Sequence, residues 1–467
     1  MHPSRLTAAV TIGAALLLTP GAGFAGASVD GTSQPREDSY YPAKGDPGVD
    51  VLHYGLDLDW RRSARTLVGH AVLDVRATGP TNSFRLDLHS AMQVSSVKVD
   101  GSAVNASHTG KTLTVPLTAE VPADSRHVLE VDYRGTPQPV RGPSTRPDMQ
   151  RIGMRVTKDG QLRTMQEPFG AFTWYPVNDH PSDKALYDIT VESPSGWSGI
   201  ANGTMSRLPA NGDRPVTAWH LSQPAASYLV TLAVGPYAHR SLTGPHGLPL
   251  HFWVPRQHVS DYMRVLRNVP RDLVWLEDKL GPYPFETAGA VIVPGGSAME
   301  TQTLVTFGAR LFGRGAREIM VHELAHQWYG DTVTPNDWTG LWLNEGMAMY
   351  LQARWNVEHT STQWSLWREE FEFGNSFYRK TDGPPAAYKR KHFAESCVYY
   401  CTALMYDHLR ERLGNRSFYR LVRQWPQTHL NSSADKATFV NWVESETGRE
   451  LSPFFNRWLL SPTWPPS

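Results

Sequence analysis

The hydrophobic period of this chain changes once along its length, and that change limits the fold more than any other feature. From Val51 to about Tyr237 apolar residues recur at every second position: Tyr54, Leu56, Leu58 and Trp60; Ala71, Leu73 and Val75; Phe84, Leu86 and Leu88; Leu113, Val115 and Leu117. A period of two is the mark of half-buried antiparallel strands. Asp100-Gly101 supplies a hairpin turn, and Thr136 to Asp148, with four prolines, can only be loop. Beyond Gly247 the spacing becomes helical, over Val259 to Leu280, Ala316 to Tyr329, Asn344 to Trp355 and Ser396 to Leu413. Gly281-Pro282 is placed to close the first of these helices and Gly414 to cap the last. The pattern predicts an α+β chain: an antiparallel β domain over residues 45–240, then a mainly helical domain over residues 241–467.

The length of 467 residues suits about three domains, or two and a removable leader, at about 150 residues per domain. Apolar residues make up 40% of the chain, with 16 Trp and 18 Tyr, which is enough to fill two large cores. Lys plus Arg and Asp plus Glu number 45 each, so there is no cationic surplus for phosphate contacts, and nucleic acid is not an expected partner. Residues 1–27 carry His2 and Arg5, an apolar run from Leu6 to Leu18, Pro20 and a string of small residues ending at Ala27. This predicts a secretory signal peptide cut after Ala25 or Ala27, and a secreted, extracellular protein. The run is shorter than the roughly 20 residues of a spanning helix, so no membrane span is expected. Cys397 and Cys401 are the only cysteines. Four apart on an α-helix, their Cβ atoms would lie about 5–6 Å apart where a disulfide wants about 3.5–4.5 Å, so packed free thiols are expected over a strained bridge. Oligomeric state is not written in the sequence.

Chemistry concentrates in Val321-His322-Glu323-Leu324-Ala325-His326-Gln327-Trp328-Tyr329-Gly330-Asp331. On a helix His322 and His326 are separated by about 400° of rotation and about 6 Å of rise, so both imidazoles leave one face and can chelate one ion. Glu323 falls about 100° round from His322, beside the ion, where a carboxylate can take a proton from water. A catalytic zinc site needs a third protein ligand and keeps one position open. Leu343-Asn344-Glu345-Gly346 offers that ligand in Glu345, with eighteen residues intervening after His326. Two His and one carboxylate, with no thiolate, fit a single Zn2+ best.

These residues resemble the aminopeptidase N family of gluzincin zinc metallopeptidases, whose motif is HExxH, eighteen residues, then Glu in an Asn-Glu-Gly context. Ser297-Ala298-Met299-Glu300-Thr301 is similar to the family's Gly-Ala-Met-Glu-Asn segment. Gln166-Glu167-Pro168 and Trp174 through Ala185 are similar to the family's first-domain segment, with Glu167 at its amine-binding carboxylate. The likeness runs from about Tyr54 to Trp458. It implies a β saddle resting on a thermolysin-like zinc catalytic domain; many family members carry a further large helical C-terminal domain, which a chain of 467 residues is expected to stop short of, leaving a more open cleft. It implies a zinc aminopeptidase acting on peptides with free amino termini. Glu323 would be the general base and Tyr399 of Cys397-Val398-Tyr399-Tyr400-Cys401 the oxyanion donor. Glu167, Ala298, Met299 and Glu300 would bind substrate, the two carboxylates holding the cationic amine. Tyr400 lies about 100° round the helix and cannot face the same ion. Ser297, Thr301, Met165 and Cys401-Thr402 depart from the family's usual residues, which leaves residue preference open. A zinc endopeptidase or a non-peptide hydrolase on the same core is the alternative; an inactive binding module is the reading from another class.

Overall fold

In the computed structural model, which describes residues 31–313 and 315–464, the alternating half of the chain forms a large twisted sheet. The expected signal peptide lies outside the described residues. Strand order in the sheet is Thr204–Asn211, Arg214–Ala226, Lys184–Glu192, Val49–Arg61, Thr66–Ala77, Arg126–Gly135, Met92–Val99 and Ser102–Ala103. Every neighbour is antiparallel except Val49–Arg61 with Lys184–Glu192. Tyr54, Leu56, Leu58 and Trp60 point to one face and are buried against Leu73, Val75, Leu129 and Val131, as the period of two requires. Asp100 and Gly101, at φ of 50° and 78°, make the hairpin turn between Met92–Val99 and Ser102–Ala103.

A second sheet joins the two halves. Its order is Tyr237–Thr243, Pro249–Pro255, Ala288–Val293, Val305–Gly308 and Ala298–Met299, the short last strand lying antiparallel at the edge. The boundary expected between residues 240 and 241 falls inside its first strand. Both faces of this sheet are covered. Phe252, Ala290, Ile292 and Phe307 enter the helical core, whereas Trp253, Val291 and Val293 enter the core of the first domain. Full burial of side chains of this size contributes about 1.5–3 kcal/mol each, so the alternation that makes the strands also welds the two cores together.

Helices form where helical spacing was read, with three departures. The stretch Val259–Leu280 is two helices, Val259–Leu266 and Val269–Leu280, because Pro270 tolerates only the first turn of a helix. The metal-motif helix is α-helical over Ala316–Ala325 and then opens into a wide π-type turn over Gln327–Asp331. A second wide turn, Cys397–Cys401, precedes the helix Thr402–Leu413. Gly281 and Gly414 end their helices at positive φ, 87° and 79°. Trp364–Asp382, Asn415–Thr428, Lys436–Thr447 and Ser452–Leu460 are further helices, not singled out from the sequence. One of them had a readable start: Asp435 accepts from the Thr438 N–H at 2.8 Å and caps Lys436–Thr447. No helix among the described residues is long and apolar enough to cross a membrane.

The expected free thiols are corrected: Cys397 and Cys401 form a disulfide. The α-helical spacing used for that expectation does not apply, because the segment is wound as a π-turn. A wider turn brings residues four apart nearly one above the other, and their Cα atoms stand 4.9 Å apart, within disulfide reach.

Candidate active site

Ala316–Ala325 carries His322 and Glu323, with His326 at its C-terminal cap, and the helix Trp342–His359 crosses behind it with Glu345 in its first turn. All four side chains are buried. His322 Nε2 lies 3.1 Å from His326 Nε2 and 3.1 Å from Glu345 Oε2, and His326 Nε2 lies 3.3 Å from the same oxygen. On a tetrahedral zinc with bonds of about 2.0–2.1 Å, neighbouring donors stand roughly 3.3 Å apart. Among the described residues these three form the one His/Cys/Asp/Glu group whose donor atoms converge in this way, all within 4.8 Å of one another.

The ring orientations are set by the backbone. The His326 Nδ1–H donates to the Tyr329 carbonyl at 3.0 Å; a carbonyl only accepts, so Nε2 is the lone pair left for an ion. The wide turn after the helix makes this carbonyl available. It also requires Gly330, at φ 142°, where a Cβ would sit 3.2 Å from His326 Nδ1. Burial opposes charge on His326, yet Glu300 and Glu345 hold its proton affinity well above that of an ordinary imidazole. Burial also opposes charge on Glu345, but His326 and His322 keep its carboxyl below the usual range and therefore ionised. A zinc ion held at Nε2 would supply the positive charge that these carboxylates otherwise draw from a proton on His326.

A cavity of about 470 Å³ opens on this centre, lined among others by Glu167, Ala298, Met299, Glu300, Glu323 and Tyr399. Glu167 enters from the first domain and Glu300 follows the edge strand Ala298–Met299. Both are buried, and Oε1 of each has no hydrogen-bond partner. Burial, then Glu300 and Glu345, push the Glu167 carboxyl well above its ordinary range, and burial and Glu345 raise that of Glu300. Burial, Glu300 and Glu345 likewise raise Glu323. Two unsatisfied carboxylates beside a metal centre form a receptor for a cation with several N–H donors.

Tyr399 and Tyr400 point apart. Tyr399 stacks near His322 and donates its hydroxyl to Glu345 Oε1 at 2.7 Å, while Tyr400 packs against Phe371 and Tyr378. Two positioning groups escaped the sequence reading. Gln327 donates to the Glu300 carbonyl at 3.0 Å and accepts from the Thr303 N–H at 2.8 Å, so the residue after the second histidine also fixes the segment that carries Glu300. Arg146, from the proline-rich loop, donates to the Tyr399 oxygen at 3.1 Å. Gln327 had a signal in its place beside His326; Arg146 had none, because its partner is 253 residues away.

The sequence pattern of the peptidase family M1 domain matches residues 265–458, and that of the peptidase M1 N-terminal domain matches residues 50–229. The chain belongs to the M1 peptidase family. It is 25% identical to aminopeptidase N of Streptomyces lividans over 466 residues, covering 92% of this chain and 52% of that protein. It is 23% identical to tricorn protease-interacting factor F2 of Thermoplasma volcanium over 66% of this chain and 42% of that protein. The chain thus spans less than half the length of several curated relatives that it matches. Solved two-domain members of the M1 family are matched nearly end to end. An alanine variant of the M1 zinc metallopeptidase of Deinococcus radiodurans, solved with a Tyr-Ser-Ala substrate, shares 26% identity over 93% of this chain and 99% of that one, with a TM-score of 0.81. The His322, His326 and Glu345 set is compatible with one zinc, the metal of that relative.

Proposed function

We propose that this chain is a secreted zinc aminopeptidase that hydrolyses the first peptide bond of peptides with a free amino terminus. The observation that carries the reading is the pair Glu167 and Glu300, buried, unsatisfied and set beside a complete His-His-Glu centre. Membership of the M1 family and the Tyr-Ser-Ala complex of the Deinococcus relative support it. The leader over residues 1–27 supports export.

His322, His326 and Glu345 would hold the zinc, which when bound supplies a Lewis acid that polarises a carbonyl and acidifies water. Glu167 and Glu300 receive the substrate ammonium through charge-assisted hydrogen bonds. An extended chain running past this point would have to bury its backbone against two carboxylates. The edge strand Ala298–Met299 offers backbone groups to the peptide in the manner of strand addition. The Glu323 carboxylate takes the proton of the attacking water and delivers it to the departing amine nitrogen. Its raised proton affinity favours the first of these transfers. The Tyr399 hydroxyl donates to the developing oxyanion.

Paired peptides differing only by amino-terminal acetylation provide the test. Cleavage of the first bond in the free peptide, with the acetylated one resistant, is expected; equal cleavage of both would make the chain an endopeptidase. For export, the amino terminus of the protein recovered from culture medium should begin at Gly26 or Ser28.

A further inference from the structure

The segment Thr136 to Asp148, expected to be loop throughout, holds a short strand, Val140–Arg141, paired with Arg151–Val156 in the first domain, yet it is fastened to the segment that carries Tyr399. Glu395 Oε1 accepts from Ser144 Oγ at 3.0 Å, from the Thr145 N–H at 2.8 Å, from Thr145 Oγ1 at 2.7 Å and from the Arg146 N–H at 3.1 Å. So anchored, Arg146 places Nη1 between two acceptors, the Ala394 carbonyl at 2.9 Å and the Tyr399 oxygen at 3.1 Å. Its other nitrogens grip Asp148, Nη2 to Oδ2 at 2.8 Å and Nε to Oδ1 at 3.3 Å. Asp148 Oδ2 also accepts from Ser297 Oγ at 2.9 Å. Ser297 directly precedes the edge strand Ala298–Met299, and its carbonyl accepts from the Gly308 N–H of the neighbouring strand at 2.9 Å. The circuit therefore runs from the peptide-binding edge, through the first domain, to the phenol.

A guanidinium has five donors and no acceptor. Its contact with the Tyr399 oxygen must consume one of that oxygen's lone pairs. The phenolic hydrogen then has only the remaining arc available, the arc that faces Glu345 and the metal centre, where the hydroxyl oxygen lies 2.7 Å from Glu345 Oε1 and donates to it. We propose that Arg146 is a positioning residue for Tyr399: by filling the acceptor side of the phenol it aims the O–H at the reacting carbonyl, and Asp148 and Ser297 hold the guanidinium in place. Ser297 stands where the M1 family segment described above has glycine, and the hydroxyl that a glycine lacks is the group that closes the circuit.

The proposal rests on the reading of Tyr399 as the oxyanion donor, and the test separates the two. Zinc-loaded full-length chain is assayed on an amino-acid p-nitroanilide, with kcat and KM measured for wild type, Y399F, R146M, R146K, S297G and the double variant R146M/Y399F. R146M is expected to lower kcat about tenfold, the worth of one hydrogen bond to a charged group, with KM changed less than about twofold and zinc content unaltered. R146K should recover part of the loss, because an ammonium can still donate to the phenol, and it stands in if R146M does not fold. S297G should fall about two- to threefold in kcat, since it weakens only the support of the guanidinium. R146M/Y399F should be no slower than Y399F alone, because Arg146 has no work left once the hydroxyl is gone. Two single effects that multiply in the double variant would overturn the proposal, as would a R146M that raises KM with kcat intact. A slow Y399F beside a wild-type kcat for R146M rejects the positioning role alone; an unchanged kcat in Y399F rejects the oxyanion role of the tyrosine as well.

Discussion

Glu323 and the three ligands differ in what their removal should do, and the difference follows from where each side chain sits. Glu323 is buried beside the ligands but is not one of the converging donors. Glu323→Gln should therefore keep stoichiometric zinc and lose about 10²- to 10⁴-fold in kcat, the usual share of a general base. Glu345→Ala should lose the metal itself, because two imidazoles remain where three donors were needed. Metal analysis of both purified variants, beside their rates, checks the assignment; full activity in Glu323→Gln would remove that residue from the base role. At this scale the sequence was informative wherever function depends on local spacing. His322, Glu323 and His326 lie on one turn, and the next helix starts close enough for Glu345 to be counted out. Arg146 and Lys184 were beyond reach, since their partners are brought in by the tertiary fold and nothing near them in sequence marks the contact.

Elements show where helical arithmetic stops applying. Two segments of the site are wound as π-type turns, Gln327–Asp331 after the metal helix and Cys397–Cys401 around Tyr399. Such turns carry one residue more than an α-turn, so they re-aim side chains, and no periodicity rule announces them. The first delivers the Tyr329 carbonyl to His326; the second brings the two cysteines together and turns Tyr399 towards Glu345. Intact-mass analysis after alkylation without reduction should find no free thiol in the folded chain. Cys397→Ala/Cys401→Ala should cost about 2 kcal/mol or less of stability, because the loop it closes is short. It should cost more in kcat than in unfolding temperature, since Tyr399 lies inside that loop. Two alkylated cysteines in the unreduced protein would contradict the bridge.

Besides the shared sheet and the Arg146 circuit, a buried cation links the two halves of the molecule. Lys184, on a strand of the first domain, donates to the carbonyls of Asp331 at 2.8 Å and Thr332 at 3.1 Å, at the end of the wide turn of the metal helix. Burial pulls its proton affinity down to a pKa of about 7 from the ordinary 10.5, against the attraction of Asp331. The unfolded chain then binds more protons than the folded one from about pH 7 up to about pH 10, so stability should rise with pH across that window by roughly 1.4 kcal/mol per unit. Lys184→Met should lack that rise in denaturant titrations; an identical slope in the variant would show that the ammonium is not desolvated. The two-domain layout and the metal helix were legible from the change of period, because burial of alternating or helical faces is what creates both cores. The coupling between the halves was not, because Lys184, Glu167 and Arg146 each act across the interface on groups more than a hundred residues away.

A zinc-edge anomalous difference map from crystals of the zinc-loaded chain tests the centre itself. One strong peak is expected, about 2.0–2.1 Å from His322 Nε2, His326 Nε2 and a Glu345 oxygen, with a fourth position facing the cavity. A map with no peak between these three donors, or with its peak elsewhere in the molecule, would contradict the account.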